Sequence, residues 1–287
     1  MIRGIKYGVL CCFLVISFNA VSQLPDKVGS LLTADRTAAR LSATEGPYAA
    51  FLSMVDDNST FFTPKPVNAV EYLKNRPNIP DVLTWDPTFA AISKSMEWGV
   101  TSGSFTFQRI GAIKRYGEYL TVWRRDRKGV WKVDLRAQIE HHGTTKELAP
   151  FYIEPDTAAY MQFRTKERIA QRKEIVQRND QLLSTVLRSN AEVAYEEFLA
   201  NDVRFFYPWT APLSGKENVI NFLKKQDVAI NAESLVASRS YSGELAYSYG
   251  TADIASAEQT LRCNYVRIWQ LQPDFQWKVI IEMLFER

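Results

Sequence analysis

Five residues are the candidates for any chemistry this chain performs: Trp98, Tyr119, Asp134, Arg136 and His141. In the stretch WKVDLRAQIE (131–140), Lys132, Asp134, Arg136 and Gln138 alternate with Trp131, Val133, Leu135 and Ala137. On a strand that alternation puts the polar set on one face. Two readings follow. The face is solvated, or it lines a cavity. A carboxylate such as Asp134 in an apolar cavity has its pKa raised and can serve as acid or base. Tyr119 and His141 are the other acid–base candidates. Tyr119, Trp98, Asp134 and Arg136 are the candidates for holding a ligand. His141 and His142 are the only histidines. Adjacent residues of a strand point to opposite faces, so the pair does not suit one metal. With no Cys/His/Asp cluster at zinc spacing, no metal and no cofactor is expected. Nor is there a Gly-rich phosphate loop, a G-x-S-x-G elbow or a nucleophilic cysteine motif.

The elements that must position these residues are written twice. YLTVWRRDRKGVWKV (119–133) and YVRIWQLQPDFQWKV (265–279) share Tyr-x3-Trp-x7-Trp-Lys-Val at an offset of 146. SMEWGVTSG (95–103) aligns with SGELAYSYG (242–250) at an offset of 147, and Phe51-Leu52 with Phe198-Leu199 at the same offset. Constant order at near-constant spacing marks a duplicated domain. Each copy reads as helices followed by β-rich segments. In copy one the helical stretch runs over Leu31–Val55, broken by Gly46-Pro47. In copy two it runs through Ile175, Leu182, Val186, Val193 and Phe198. Short helices follow over Val67–Asn75 and Lys216–Lys225. Then come strands rich in β-branched and aromatic residues, an α+β pattern. Trp123, Trp131, Trp269 and Trp277 recur in both copies, which suits packing rather than chemistry. Copy two has Ile280 and Glu282 where copy one has Asp134 and Arg136. A pocket using that pair therefore belongs to copy one.

The chain has 287 residues, 46% apolar and 13% aromatic, enough for two ordinary cores. Residues 1–22 read as a cleaved signal peptide. Arg3 and Lys6 precede an apolar run from Tyr7 to Phe18, and Ala20 and Ser22 form an A-x-S cleavage site. Export to a bacterial periplasm or the exterior is the expected localisation. Cleavage removes two positive charges from a net +3. A near-neutral mature chain gives no reason to expect nucleic acid as a partner. Nor is a membrane expected as a partner once the signal is cleaved. Cys263 is the lone mature cysteine, so no internal disulfide forms. The expected organisation is signal peptide 1–22, domain one 23–142, a linker with a charged helix 143–174, and domain two 175–287. The charged helix reads as a solvated linker, or as a basic surface for an anionic partner.

Ala34-Asp35-Arg36, Phe51-Leu52, Trp85-Asp86-Pro87, the S-x-E-x-G-x-T-x-G run ending at Gly103, and Tyr119-x3-Trp123 with Gly129-x-Trp131-Lys132-Val133 occur in that order. Together they resemble the SnoaL-like branch of the nuclear transport factor 2-like superfamily. Copy two lacks the Trp-Asp-Pro element. The resemblance implies two tandem cone-shaped domains, each with N-terminal helices packed on a strongly curved antiparallel sheet and a pocket at the open end. Such families include isomerases, cyclases, dehydratases and pure binding proteins, so fold does not decide function. The domains usually dimerise through their sheets, and a tandem copy implies that dimer within one chain. Three functions stay open. One is a binding protein for a small apolar or amphipathic molecule in the copy-one pocket. Another is a cofactor-independent acid–base enzyme using Asp134, of isomerase or dehydratase type. The third is a structural or protein-interaction module. In ketosteroid isomerases of this superfamily a carboxylate base and a tyrosine donor do the work.

Overall fold

The computed structural model describes residues 26–76, 81–143, 147–156, 160 and 165–287. The expected signal peptide lies outside them. Copy one runs α1 (Asp26–Glu45), α2 (Pro47–Met54), β1 (Thr60–Phe62), β2 (Pro66–Asn68), α3 (Ala69–Lys74), β3 (Val82–Trp85), β4 (Phe89–Ile92), β5 (Trp98–Gln108), β6 (Arg115–Arg125), β7 (Trp131–His141) and β8 (Phe151–Ile153). Copy two runs α4 (Lys166–Ser189), α5 (Ala191–Phe198), β9 (Leu199–Phe206), β10 (Leu213–Ser214), α6 (Lys216–Gln226), β11 (Ala229–Arg239), β12 (Leu245–Ala255), β13 (Thr260–Leu271) and β14 (Trp277–Glu286). Two elements lie in or run out of the expected linker. β8 pairs with β4, and residues 166–174 are the start of α4, the first helix of copy two.

Local chemistry sets the breaks. Gly46 at φ 90° followed by Pro47 ends α1 and starts α2. The Asn68 and Asn190 side chains each accept a backbone N–H at the start of α3 and α5. α1 buries Val28, Leu31, Leu32, Asp35 and Ala38, the three-and-four spacing of a helix laid on a sheet.

Each copy wraps its helices with a curved sheet in one strand order. Sheet one runs β2-β1-β7-β6-β5-β4-β8, with β3 also on β5, and sheet two runs β10-β9-β14-β13-β12-β11. The long strands pair antiparallel, with parallel joins at β1–β7, β9–β14 and β4–β8. β11 does the work of β3 and β4 together: Asp86-Pro87 splits that strand in copy one, and copy two keeps it whole with a register shift between Ser234 and Val236. The repeated glycines explain themselves here. A Cβ on Gly103 would stand 2.0 Å from the Asp86 carbonyl oxygen, and one on Gly250 would stand 1.9 Å from that of Glu233.

Three apolar clusters form among the described residues. One lies inside each cone, and the third lies between the copies. The third joins Phe62, Leu135 and Ile139 of copy one to Val266, Ile281 and Phe285 of copy two. The two turns that begin with Ser93 and Ser240 meet there reciprocally. Lys94 N–H donates to Glu244 Oε1 at 2.6 Å, and Tyr241 N–H donates to Glu97 Oε1 at 2.6 Å. Ser95 N–H donates to Ser242 Oγ at 3.1 Å, and Ser242 N–H donates to Ser95 Oγ at 2.9 Å. Residue i meets j and j meets i, the pattern of a two-fold contact. This is why Ser-x-Glu recurs in both copies.

Candidate functional site

β7 carries most of the residues singled out in the sequence, and a bulge sorts them. Opposite β6, Trp123 pairs with Val133 but Val122 pairs with Leu135, leaving Asp134 unpaired in register. The extra residue reverses the alternation. Trp131 and Val133 face the helices of their own cone, while Leu135, Ala137 and Ile139 face the other copy. Arg136, Gln138 and Glu140 consequently line the cone. The single polar face expected over 132–138 is broken at its centre. Asp134 belongs to a different space. It accepts from Arg124 Nε at 3.3 Å and meets the Tyr247 hydroxyl of copy two. Burial raises its pKa, with Arg124 and Tyr247 acting against the rise. Copy two has the same bulge, between Val279 and Ile281, with Ile280 packed between the copies.

The cone of copy one holds a cavity of about 450 Å³. Tyr48, Phe51, Phe61, Tyr72, Phe105 and Phe107 supply its aromatic wall. At the rim Arg109 grips Asp81 through two bonds of 2.9 Å, and Arg115 holds Glu140 at 2.7 Å. Arg76 lies over the Tyr72 ring at 4.3 Å.

Arg136 lines this cavity and is only 4% exposed. Its Nη1 donates to Thr121 Oγ1 at 2.6 Å, across the β6–β7 pair. The guanidinium lies 4.5 Å from the Tyr119 ring centre, 5.1 Å from Trp85 and 5.4 Å from Phe51. Among the described residues, Nε and Nη2 have no acceptor. Burial pulls its pKa below the ordinary arginine value, and Asp35 and Tyr119 act against that.

Beneath Arg136 sits Asp35 of α1, fully buried. It accepts from Trp85 Nε1 at 2.7 Å and from the Tyr119 hydroxyl at 2.7 Å. Both carboxylate oxygens are thereby occupied, and Asp35 positions the two rings on which Arg136 lies. Burial and the Asp35 charge push the Tyr119 hydroxyl well above its usual pKa. Asp35 was not among the sequence candidates. Its signal was present: an acid on the apolar stripe of α1, repeated as Asp180 on the stripe of α4.

The other two candidates stand apart. Trp98 stacks on Tyr247 of copy two, ring centres 6.4 Å apart, and borders a cleft between the copies together with Asp134. His141 is buried, with Nε2 3.8 Å from Glu118, while His142 stacks on Trp209 at 5.2 Å. Tyr119 and Arg136 therefore come together in copy one, while Asp134, Trp98 and His141 do not join them.

Copy two fills the same positions differently. Where copy one pairs Thr121 with Arg136, copy two pairs Arg267 with Glu282. Arg267 donates to Asp180 Oδ1 at 2.7 Å and to Glu282 Oε1 at 2.9 Å, all three fully buried. The Tyr265 hydroxyl donates to Asp180 at 2.7 Å, as Tyr119 does to Asp35. The frame is shared, but the guanidinium of copy two is matched by two carboxylates.

No family model and no curated protein matches the chain. Among solved structures, one copy's length is similar to several nuclear transport factor 2-like proteins. One, from Cytophaga hutchinsonii, is 20% identical over 40% of this chain and 97% of its own, with a TM-score of 0.34. Another, of unknown function from Pseudomonas putida, is 14% identical over 40% of this chain and 87% of its own, with a TM-score of 0.35. An LEH-like epoxide hydrolase from M. tuberculosis is 9% identical over 43% of this chain and 83% of its own, with a TM-score of 0.32.

Proposed function

We propose that the protein is an exported binding protein whose copy-one cone takes up a small amphipathic molecule. The observation that carries this is the aromatic-walled cavity of about 450 Å³ with Arg136 in its lining. A cavity of this size with an aromatic wall and placed polar groups is a usual form of small-molecule site. Binding fits the geometry better than catalysis. Asp134 and His141 stand outside the cavity, and both oxygens of Asp35 are occupied by Trp85 and Tyr119. Glu140 at the rim is held by Arg115.

Copy two acts in this reading as the permanent partner of copy one. The reciprocal Ser95–Ser242 bonds and the shared apolar cluster support an intramolecular pseudo-dimer, with domain two beginning near residue 166.

Octan-1-ol titrated calorimetrically into the mature chain tests the cavity. Gln138 is an exposed residue of the cavity wall, so Gln138→Trp should fill the space without disturbing a core. Saturable binding in the wild type and its loss in Gln138→Trp is the expected result. Undiminished binding in the variant would place the ligand elsewhere.

A further inference from the structure

Resting on the cavity reading, we infer that the ligand carries a carboxylate, and that Arg136 grips it through Nε and Nη2. These two nitrogens share one edge of the guanidinium plane, the edge that makes two parallel N–H···O bonds to a carboxylate. The rest of the group is spoken for. Nη1 is bound to Thr121, and the faces lie against Tyr119, Trp85 and Phe51. The free edge belongs to a side chain that lines the cavity and is almost wholly buried. A buried charge is ordinarily paired, and a buried donor ordinarily finds an acceptor.

Copy two is the internal control. In the same cross-strand slot Glu282 supplies a carboxylate to Arg267 from within the protein. Copy one has Thr121 and Arg136 in that slot and no such carboxylate. A ligand carboxylate in copy one would occupy the role that Glu282 plays in copy two. The wider cavity agrees in sign. Arg76, Arg109, Arg115 and Arg136 line it against Asp81 and Glu140. The aromatic wall then takes the apolar body, so the ligand class is a small amphipathic carboxylic acid.

Calorimetry with a chain-matched pair, sodium octanoate and octan-1-ol, tests this in the full mature chain at neutral pH. Octanoate should bind the wild type about tenfold or more tighter than octanol, the scale of a two-pronged charge-assisted contact. Arg136→Met should erase that preference, bringing the two probes to equal affinity. Arg136→Lys, which keeps the charge but lacks the fork, should restore only part of it. Near-ultraviolet circular dichroism identifies any variant that has lost its fold, and Arg136→Lys then stands in for Arg136→Met. Equal affinity for the two probes in the wild type overturns the carboxylate assignment and leaves the cavity standing. A preference that survives Arg136→Met overturns it in the same way. Failure of both probes to bind overturns the cavity reading and this inference with it.

Discussion

The same substitution in the two copies should have opposite character. Arg267→Met removes a guanidinium bound to Asp180 at 2.7 Å and to Glu282 at 2.9 Å. It leaves two carboxylates in a fully buried site. Breaking a buried pair from one side costs about 3–5 kcal/mol, because the stranded charge has no water to return to. Arg136→Met removes a buried guanidinium that, among the described residues, has no carboxylate within bonding distance. The loss there is one charge-assisted hydrogen bond to Thr121, about 1.5–3 kcal/mol, and the stacking on Tyr119, about another 1–2 kcal/mol. Against this stands relief of a desolvation cost of several kcal/mol, which outweighs the attraction of Asp35 and Tyr119. Asp35 keeps both its donors, Trp85 and Tyr119. The net change should fall within about 1 kcal/mol of zero. Thermal unfolding of the ligand-free protein, followed by tryptophan fluorescence, measures both. At about 2–4 °C per kcal/mol for a domain-pair of this size, Arg267→Met should lower the melting temperature by roughly 6–20 °C. Arg136→Met should move it by less than about 4 °C. Equal destabilisation by the two would refute the reasoning, since it would mean that Arg136 is already matched within the protein.

Three further outcomes follow from the same geometry. Burial raises the pKa of Glu118, with His141 and Arg204 acting against the rise. A raised carboxyl pKa favours the folded state at low pH, and that contribution is lost as pH rises through the folded value. Glu118→Gln should therefore flatten the decline in stability with rising pH, from the ordinary glutamate range upward, in urea melts at a series of pH values. A decline as steep as the wild type's would contradict this. Gly103→Ala drives a Cβ to 2.0 Å from the Asp86 carbonyl and should cost about 1–3 kcal/mol or more by overpacking, read as a lower melting temperature. Phe62→Ala removes a ring set edge-on to Tyr249 at 5.3 Å and Phe285 at 5.1 Å. It should cost about 3–5 kcal/mol in chemical unfolding, more than an exposed aromatic would, because the ring sits between the two copies.

Much of this architecture was legible in the sequence because it is written twice. The Tyr-x3-Trp repeat marks matching strands, and its tryptophans do matching work. Trp123 donates to Thr101 at 2.7 Å and Trp269 to Ser248 at 2.8 Å. Trp131 and Trp277 each lie under an arginine, Arg125 at 4.6 Å and Arg239 at 4.8 Å. The site was less legible, for two physical reasons. Strict alternation assumes an unbroken ladder, and the bulge at Asp134 shifts every later side chain to the other face. It separates Asp134 from Arg136 although two residues on a regular strand would share a face. The second reason is that the proposed binding depends on which charges are matched, and matching is a long-range fact. Asp35 is 84 residues from Tyr119, and Asp180 is 87 from Arg267. The Ser-x-Glu repeat was visible too. Its meaning, a reciprocal clasp between the copies, required both turns to be placed in space. Cys263, also visible, is buried with its thiol pushed up to about 12 by burial, which removes it as a nucleophile near neutral pH.

The most direct measurement is the arginine side-chain nitrogen–proton spectrum of the protein during titration with sodium octanoate. One Nε–H resonance should move downfield as a charge-assisted bond forms, and that resonance should be absent from Arg136→Met. The Arg267 resonance, already held by Glu282, should stay where it is. Movement of a different arginine, or of none, would contradict the account.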